Sequence, residues 1–509
     1  MQKIIIDPMT RIEGHLKIEV LLDDNNTIVD ARSSGVLYRG IELILRGRDP
    51  RDAVRITQRV CGVCPVPHGT ASALCLDSAF GIADKIPDNG RILRNLILGS
   101  EYVHNHILHF YHLCSLDYAD IKRATNYTEN DFDNLRRFLS GNQLSPFLPR
   151  YEGDYRLNDE DNKALLLHYL QAFQMRKKAH DMLSLFGGRT PIQAGIVAGG
   201  VTCTPTVDKI ASFAWRAKEL LQFIENAYIP DVIKVAKSYS DYFTIGIGCK
   251  RMLTFGFFDI GSEADYTKRE RLLRQGSTDE SLNYMPLDDL SNISESVRYS
   301  WYEEDGTASP KKDGAYSFIK APRYKGLAHE VGPLARLLVN YASGNKAVVE
   351  CLNAILSELP VGIDAMFSVM GRIIARAVEA KLIAEALVDW VYRLKPDEPA
   401  FIPYELPEEA NGVGLVDAPR GCLAHFTKIE RGTIANYSII SPTTWNASPM
   451  DDTNQHGAIE QALVGTKVRD PENPFEIVRI VRSFDPCLAC AVHLVNLSDS
   501  KIEEVNLIG

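Results

Sequence analysis

The alternation of apolar and polar residues predicts strands at the start of the chain. Apolar and polar side chains alternate over His15–Leu22 and Thr27–Ser33, and the turn-forming residues Asp23–Asn26 lie between these segments. Such alternation is typical of strands with one buried face. A β-hairpin is therefore expected near the N-terminus.

From about Ile41 the apolar residues recur every three or four positions, which predicts helices. The long helical patterns are Arg91–Leu116, Asp161–Phe186, Val207–Lys237, Gly326–Ser343 and Lys346–Arg393, the last with a break at Pro360 and Gly362. Between about Ser238 and Tyr324 the chain is polar with scattered aromatic residues, which predicts irregular or short-strand structure at the surface. These patterns together predict a mainly helical core.

The last part of the chain returns to a strand-like pattern. Gly414–Ile429 and Thr433–Ile440 flank the turn residues Glu430–Gly432. No internal repeat or Pro/Ser-rich linker divides the chain. We therefore predict a single α+β domain, with a helical bundle as its core and small β regions contributed by the N- and C-terminal segments.

Composition narrows the class of protein. The 509 residues are 45% hydrophobic and 24% charged, and 66 acidic against 56 basic residues give a net charge of −10. This balance argues against a general nucleic-acid binder, which needs a basic excess. The most apolar stretch, Asn95–Leu116, is interrupted by Glu101 and histidines, so no transmembrane segment is predicted. The first residues do not form a signal-peptide pattern, and export would need the signal of a partner.

Two cysteine pairs lie near opposite ends of the chain. Cys61 and Cys64 form one C-x-x-C motif, and Cys487 and Cys490 form the other. Four thiolates make a complete coordination set for zinc, iron or another soft transition metal. A structural zinc or iron site that joins the two ends, or four buried thiols, are the alternatives that the spacing leaves open. The two ends of the chain are therefore expected to meet at a buried metal site.

The amino-acid sequences of several motifs resemble those of the large, catalytic subunit of nickel–iron hydrogenases. The segments that carry the resemblance are Arg11–His15 (RIEGH), Arg59–Cys64 (RVCGVC) with His68, Pro322–Tyr324, Glu330–Arg336 (EVGPLAR), Ala418–Gly421 (APRG), Pro442–Asn446 (PTTWN) and Asp485–His493 (DPCLACAVH). They extend over nearly the whole chain.

The resemblance implies a bimetallic centre and its reaction. Nickel would be held by Cys61, Cys64, Cys487 and Cys490, and Cys64 and Cys490 would also bridge to an iron that carries cyanide and carbon monoxide. The reaction would be heterolytic splitting of H₂ into hydride and proton, or its reverse. Cys487 would act as the base, and Glu13 would be the next proton carrier.

Other residues around this centre are implied by the same resemblance. Arg420 would lie above the open metal position and pair with Asp117 and Asp485. Pro419 and Thr443 would line the pocket of the diatomic ligands on iron.

The resemblance also implies residues that support the centre. His68 would donate a hydrogen bond to a bridging sulfur. Glu42 and His493 would be side-chain ligands of a separate magnesium or iron ion. Thr444 is as capable as Thr443 of donating to the diatomic ligands.

The remaining six cysteines are scattered, so we expect no iron–sulfur cluster in this chain. Electrons would pass to an iron–sulfur small subunit in a heterodimer, and from there to a membrane cytochrome b or a soluble carrier. The partner's signal would make the complex membrane-associated or periplasmic, with a cytoplasmic location as the alternative. Residues 1–493 would form the mature domain, and residues 494–509 would be a C-terminal peptide that a maturation protease removes after nickel insertion.

Two other classes of protein compete with this interpretation. The first is the quinone-module subunit of respiratory complex I, a non-catalytic fold relative. The second is a structural zinc protein. Among hydrogenases, the motifs Glu330–Arg336 and Pro442–Asn446 favour a respiratory uptake enzyme over a soluble or sensory one.

Overall fold

The computed structural model describes residues 2–141, 144 and 147–491, and it shows a mixed helix and strand fold. In chain order the strands are β1 (Gln2–Ile6), β2 (Leu16–Leu22), β3 (Ile28–Gly35), β4 (Ile196–Val197), β5 (Gly200–Val201), β6 (Met252–Thr254), β7 (Phe257–Asp259), β8 (Arg271–Leu273), β9 (Gly276–Thr278), β10 (Tyr284–Met285), β11 (Ile293–Ser296), β12 (Ala321–Tyr324), β13 (Glu409–Ala418), β14 (Gly421–Glu430) and β15 (Thr433–Ile440). The helices are α1 (Ile41–Leu45), α2 (Ala53–Thr57), α3 (Pro65–Ala79), α4 (Asp88–Ile107), α5 (Asp133–Ser140), α6 (Asp159–Gly187), α7 (Val207–Phe223), α8 (Ile229–Ser238), α9 (Pro333–Ala342), α10 (Lys346–Leu356), α11 (Val369–Val391), α12 (Pro442–Asn446), α13 (Ala458–Leu463), α14 (Phe475–Ser483) and α15 (Leu488–Ala491).

The long helices pack around α11, which contacts α4, α7, α8, α9 and α14, and α4 also lies along α6. The α4 helix continues as π-helical turns over Leu108–Cys114. One cluster of buried apolar side chains extends from Ile4 to Ala491. Within the described ranges, no helix is both long and apolar enough to cross a membrane.

The N-terminal strands form an antiparallel sheet in the order β1-β2-β3. This confirms the predicted hairpin, in which Leu16 pairs with Gly35. The strand β1 was not predicted. Its partner β2 alternates between buried and half-buried side chains, as expected for a sheet with one face on the core.

The predicted helices are confirmed, and one of them, α9, begins later than predicted. The pattern Gly326–Ser343 predicted a helix throughout, but α9 begins at Pro333. The preceding residues are extended, because the Leu253 N–H donates to the Glu330 carbonyl and the Glu330 N–H donates to the Arg251 carbonyl. Tertiary pairing with β6 thus overrides the local helical pattern. The expected break near Pro360 is confirmed by the gap between α10 and α11.

The polar region between Ser238 and Tyr324 contains the predicted short strands. Its placement at the surface was wrong in part, because every residue of β6 is buried. The strand β6 packs against α9 and belongs to the sheet β10-β9-β6. Polar composition predicted exposure here, but the strand residues Met252–Thr254 are covered by the helix.

The C-terminal sheet has the order β13-β14-β15, and it differs from the prediction at one turn. The pattern Gly414–Ile429 was interpreted as one strand, whereas the structure has the hairpin β13–β14 with Pro419 and Arg420 between the paired residues Ala418 and Gly421. Gly421 has a φ of +130°. Because apolar residues continue on both sides of this two-residue turn, alternation gave no signal of it. The turn carries one of the predicted site residues.

Helix α3 lies directly on this hairpin. A Cβ at Gly414 would lie 2.0 Å from the Ala71 carbonyl oxygen, so only glycine permits the approach. Cys64 directly precedes α3. The contact therefore brings the first cysteine pair to the end of the sheet where β13 and β14 join.

Candidate active site

The four cysteine sulfurs lie together in the interior. Cys61 Sγ is 3.2 Å from Cys487 Sγ, and Cys64 Sγ is 3.4 Å from Cys490 Sγ. All four sulfurs lie within 4.8 Å of one another, and all four residues are buried. None of them forms a disulfide. The predicted meeting of the two ends of the chain is confirmed.

Main-chain pairing between the two ends fixes this meeting. The Leu488 N–H donates to the Glu13 carbonyl, and the Glu13 N–H donates to the Pro486 carbonyl. Gly14 has a φ of +78°, and a Cβ at this position would lie 2.8 Å from Leu488 Cβ. The segment before β2 therefore holds the second cysteine pair in place through its backbone.

The donor set fits a soft metal centre. Two sulfurs bound to one ion at about 2.3 Å lie no more than about 4.6 Å apart. The distances of 3.1, 3.2, 3.4 and 4.0 Å between neighbouring sulfurs fall within this limit. Burial, together with the neighbouring thiols, raises the pKa of Cys487 and Cys490 well above the usual value. Four thiolates in one buried position need a cation to compensate their charge. The sulfur geometry alone is compatible with zinc, nickel or iron.

Glu13 reaches the cluster from the N-terminal segment. Its Oε2 lies 3.1 Å from Cys487 Sγ and accepts a hydrogen bond from the Ala489 N–H at 2.9 Å. Burial, and to a lesser degree the charge of Cys61, raises the pKa of the Glu13 carboxyl. The structure thus brings Glu13 into contact with the thiol that was predicted to act as base.

Arg420 lies in the hairpin turn and is buried beside Asp485. Its Nε donates to the Asp485 carbonyl and its Nη2 to Asp485 Oδ1, both at 3.0 Å. Its Nη1 donates to Asn105 Oδ1 at 3.0 Å. Burial raises the pKa of Asp485, but Arg420, His109 and Arg376 together outweigh burial and leave that pKa below its usual value.

The predicted pairing of Arg420 with Asp117 was wrong. Asp117 Oδ1 instead accepts from Arg11 at 2.6 Å and from Arg482 at 2.5 Å. Asn105 occupies the place expected for Asp117, because α4 passes the Arg420 turn twelve residues earlier than Asp117. The two residues belong to separate clusters.

Asn105 was missed by sequence reasoning, although the chain carries a signal for it. Glu101 and Asn105 are polar residues four positions apart in α4, and both are buried. This spacing places them on one face. Glu101 accepts the Val66 N–H, and the Asn105 side chain donates to the Val63 carbonyl. The polar face of α4 therefore supports the loop that carries the first cysteine pair.

The two threonines after β15 differ in what they contact. Thr443 Oγ1 accepts a hydrogen bond from the Cys487 N–H at 2.9 Å. Thr444 Oγ1 instead lies 3.0 Å from Ser441 Oγ. Pro419 is buried, and its carbonyl accepts from Arg336 Nη2 at 3.0 Å. Thr443 thus contacts Cys487 itself, whereas Thr444 reaches the same segment only at the Ala491 carbonyl, at 3.5 Å. Pro419 contributes its carbonyl to a buried arginine.

His68 lies in the first turns of α3 and is buried. Its Nδ1 is 3.3 Å from Nε2 of His425 on β14. Burial lowers the pKa of His68 to about 4, so the imidazole is neutral at physiological pH. The contact with His425 was not predicted.

Glu42 lies in α1, and its Oε1 accepts the Ile439 N–H at 2.8 Å. Its Oε2 is buried without a hydrogen-bond partner among the described residues. Burial raises the pKa of this carboxyl to about 8. An unpaired buried oxygen of this kind fits a metal ligand. The second predicted ligand, His493, lies outside the described residues.

Sequence comparison identifies related proteins along the whole chain. The family model described as "Nickel-dependent hydrogenase" matches residues 39–137 and 132–493, and a model described as "HoxL-like" matches residues 3–34. The periplasmic NiFeSe hydrogenase large subunit of Desulfomicrobium baculatum is 41% identical, and the match covers 99% of this chain and 97% of that protein. The hydrogenase-1 large chain of Escherichia coli is 34% identical with the same coverage.

Solved structures agree with the sequence matches. The NiFeSe hydrogenase of Desulfovibrio vulgaris Hildenborough in its as-isolated oxidised state has a TM-score of 0.84 and 42% identity, and the match covers 97% of this chain and 100% of that chain. The reduced, active NiFeSe hydrogenase of Desulfomicrobium baculatum has a TM-score of 0.85 and 41% identity, with the same coverage.

These matches separate the possibilities that the thiol geometry left open. Nickel-dependent hydrogenases match nearly every residue of the chain, which favours this family over a structural zinc protein and over a non-catalytic relative from complex I. The four cysteines supply the ligands that a nickel–iron centre requires. The chain therefore belongs to the nickel-dependent hydrogenase family, as a large, catalytic subunit.

Proposed function

We propose that Cys61, Cys64, Cys487 and Cys490 bind nickel, and that Cys64 and Cys490 also bind an iron that carries cyanide and carbon monoxide. The observation that carries this proposal is the gathering of all four sulfurs within 4.8 Å in a buried position. When bound, this centre supplies heterolytic cleavage of H₂ or its reverse. The protein residues around it bind, orient and move protons.

The contact between Cys487 and Glu13 supports a proton path. Cys487 Sγ takes the proton, and Glu13 Oε2, which lies 3.1 Å away, receives it. The Ala489 N–H holds this oxygen toward the sulfur. Such a distance is suitable for direct proton transfer.

Glu13→Gln tests this path. The variant is expected to keep its metals and to exchange protons with H₂ at least tenfold more slowly, because the amide cannot take the proton from Cys487. Isotope exchange between D₂ and water, measured per nickel, gives the rate. The control is Glu19→Gln on β2, which changes a carboxylate that contacts Lys3 instead. Equal exchange in Glu13→Gln and the wild type would contradict the path.

Arg420 is proposed to orient and polarise H₂ at the centre. Asp485 contacts both its Nε, through the main chain, and its Nη2, through the carboxylate. These contacts fix the guanidinium, so its charge needs little reorganisation. Thr443 and Pro419 would line the pocket of the diatomic ligands, and the bond from the Cys487 N–H to Thr443 supports this position for the threonine.

A second ion, magnesium or iron, is proposed at Glu42 and His493. The support is the buried Oε2 of Glu42, which lacks a hydrogen-bond partner among the residues described. A divalent cation would compensate the charge of this carboxylate, which burial otherwise disfavours.

The chain is proposed to work in a heterodimer with an iron–sulfur small subunit. The relatives from Desulfomicrobium baculatum and Escherichia coli are named as a large subunit and a large chain, which implies a smaller partner chain. Electrons would leave through its clusters to a membrane cytochrome b or a soluble carrier. A respiratory uptake role at the membrane or in the periplasm, by way of the partner's export signal, is preferred to a cytoplasmic one.

Residues 1–493 are proposed to form one mature domain, and residues 494–509 to be removed by a maturation protease. The apolar cluster that joins Ile4 to Ala491 supports a single unit. The mass of the purified subunit tests the cut after His493.

Metal analysis and an H₂-dependent dye-reduction assay on the purified heterodimer test the function as a whole. Nickel and iron are expected in the wild type. Cys487→Ser is expected to lose at least a hundredfold in activity, because it removes both a ligand and the proposed base. Cys203→Ser is the matched control, since Cys203 is partly exposed and lies outside the cluster. Zinc in place of nickel, or an active Cys487→Ser, would refute the proposal.

A further inference from the structure

Four buried side chains form a continuous hydrogen-bonded chain, and the charge of Cys61 acts on the imidazole of its first member, His68. Nδ1 of His68 lies 3.3 Å from Nε2 of His425, and Nδ1 of His425 lies 2.9 Å from the Tyr437 hydroxyl. The Tyr437 hydroxyl lies 3.0 Å from Ser72 Oγ. All four residues are at most 2% exposed. This series of hydrogen bonds connects α3 to β14, β14 to β15, and β15 back to α3.

Both ends of this chain are fixed by the same helix. His68 and Ser72 are four residues apart in α3, and so lie on one face of it. His425 and Tyr437 reach that face from adjacent strands of the C-terminal sheet. The close packing of α3 on this sheet sets the spacing between all four groups.

Each link of the chain can be occupied by only one hydrogen, so the links depend on one another. A neutral imidazole has one N–H donor and one acceptor nitrogen. Burial lowers the pKa of His68 to about 4, and His68 is therefore neutral. If Tyr437 donates to Ser72, His425 donates to Tyr437, His68 donates to His425, and Nε2 of His68 carries a lone pair. If Tyr437 donates to His425, every link reverses, and Nε2 of His68 carries the hydrogen.

The thiolates select between these two directions. Since Nδ1 of His68 is used by His425, only Nε2 is left for the sulfurs. A lone pair that faces thiolates is repelled, whereas an N–H that faces them forms a charge-assisted hydrogen bond. We propose that Tyr437 and His425 are positioning residues, which hold His68 in the tautomer that donates to the thiolates. The chain then runs from Ser72 through Tyr437 and His425 to His68.

This inference rests on the proposed function, and it predicts an electronic effect on the centre. A hydrogen bond to a metal-bound thiolate withdraws electron density from the sulfur and therefore from the metals. Loss of the donor is expected to move the infrared stretching band of the carbon monoxide on iron to lower wavenumber. This band reports on electron density at iron, which a purely structural role of Tyr437 would leave unchanged.

Tyr437→Phe and Ser72→Ala together test the direction of the chain in the purified heterodimer. Tyr437→Phe removes the donor to His425 and is expected to lower the wavenumber of the band. In the proposed direction Ser72 donates to Tyr437, so Ser72→Ala still leaves Tyr437 to donate to His425 and is expected to leave the band in place. Tyr316→Phe is the control, because it loses a buried hydrogen bond to Glu460 away from this chain. An unmoved band in Tyr437→Phe, or equal shifts in Tyr437→Phe and Ser72→Ala, would overturn the inference.

A second substitution keeps the test decisive if Tyr437→Phe does not fold. 3-Fluorotyrosine at position 437 keeps the shape of the ring and strengthens the hydroxyl donor, so the band is expected to move to higher wavenumber. An unchanged band would overturn the inference. Absence of the band from the wild-type protein would overturn the proposed function together with this inference, whereas an unresponsive band would overturn the inference alone.

Discussion

Two buried arginine–aspartate clusters lie on either side of the segment that leads to the second cysteine pair. In the first, Asp485 contacts Arg420 in the hairpin turn and Arg376 on α11. In the second, Asp117 contacts Arg11 and Arg482. Only the first adjoins the thiols, where Arg420 is held by three hydrogen bonds and can act on a small ligand. The second joins the N-terminal segment to α14, and we expect it to stabilise the fold.

The largest expected effect is on stability and belongs to the second cluster. Asp117→Asn removes the charge that compensates Arg11 and Arg482, and is expected to lower the free energy of unfolding by about 3 kcal/mol. The activity per bound nickel is expected to stay within twofold of the wild type. Thermal denaturation and the dye-reduction assay measure the two quantities.

The control for Asp117→Asn is Asp88→Asn, which breaks an exposed pair with Arg91. That change is expected to cost less than about 1 kcal/mol. A hundredfold loss of activity per nickel in Asp117→Asn would show that the two clusters act as one.

The next effect is on catalysis and belongs to the first cluster. Arg420→Lys is expected to lower activity by about a hundredfold, because an ammonium cannot make the three fixed contacts with Asp485 and Asn105. Nickel content is expected to be unchanged. Arg482→Lys is the matched control in the second cluster, and should affect the unfolding temperature more than the activity. Equal losses of activity per nickel in the two variants would remove the distinction between the clusters.

The smallest expected effect is on activity, when a substitution introduces a second carboxylate beside Arg420. Asn105→Asp is expected to change activity per nickel by less than about threefold, since Asp485 already supplies a negative charge and Asn105 already accepts the hydrogen bond. Asp485→Asn in the same assay is expected to lose at least tenfold, because it removes the carboxylate that Arg420 and Arg376 share. A larger effect from Asn105→Asp than from Asp485→Asn would reverse the assigned roles.

The sequence predicted that the four cysteines come together, because paired thiols are a recognisable chemical pattern. Four cysteines in two pairs can form one soft metal site, and the structure brings them together. Glu13 is likewise placed by a backbone pairing that involves its own motif. These features depend on short segments, whose residue types and spacing are visible in the chain.

Partners that depend on packing between distant elements were not predictable in the same way. Asn105 lies in α4 and Asp117 lies beyond the end of that helix, and only the packing of α4 decides which of the two meets Arg420. The turn at Pro419 and Arg420 was hidden because apolar residues continue on both sides of it. Similarly, His425 and Tyr437 were unremarkable strand residues until α3 was placed on their sheet.

The pairing of the two chain ends has a consequence for biosynthesis. Since 423 residues separate Cys64 from Cys487, a ribosome completes the ligand set only after it has made nearly all of the described chain. Until then, Cys61 and Cys64 present two thiols in a half-formed site to the cytosol. A full set of four thiols is therefore available only near the end of translation, so loading of both metals has to follow synthesis of the polypeptide rather than accompany it.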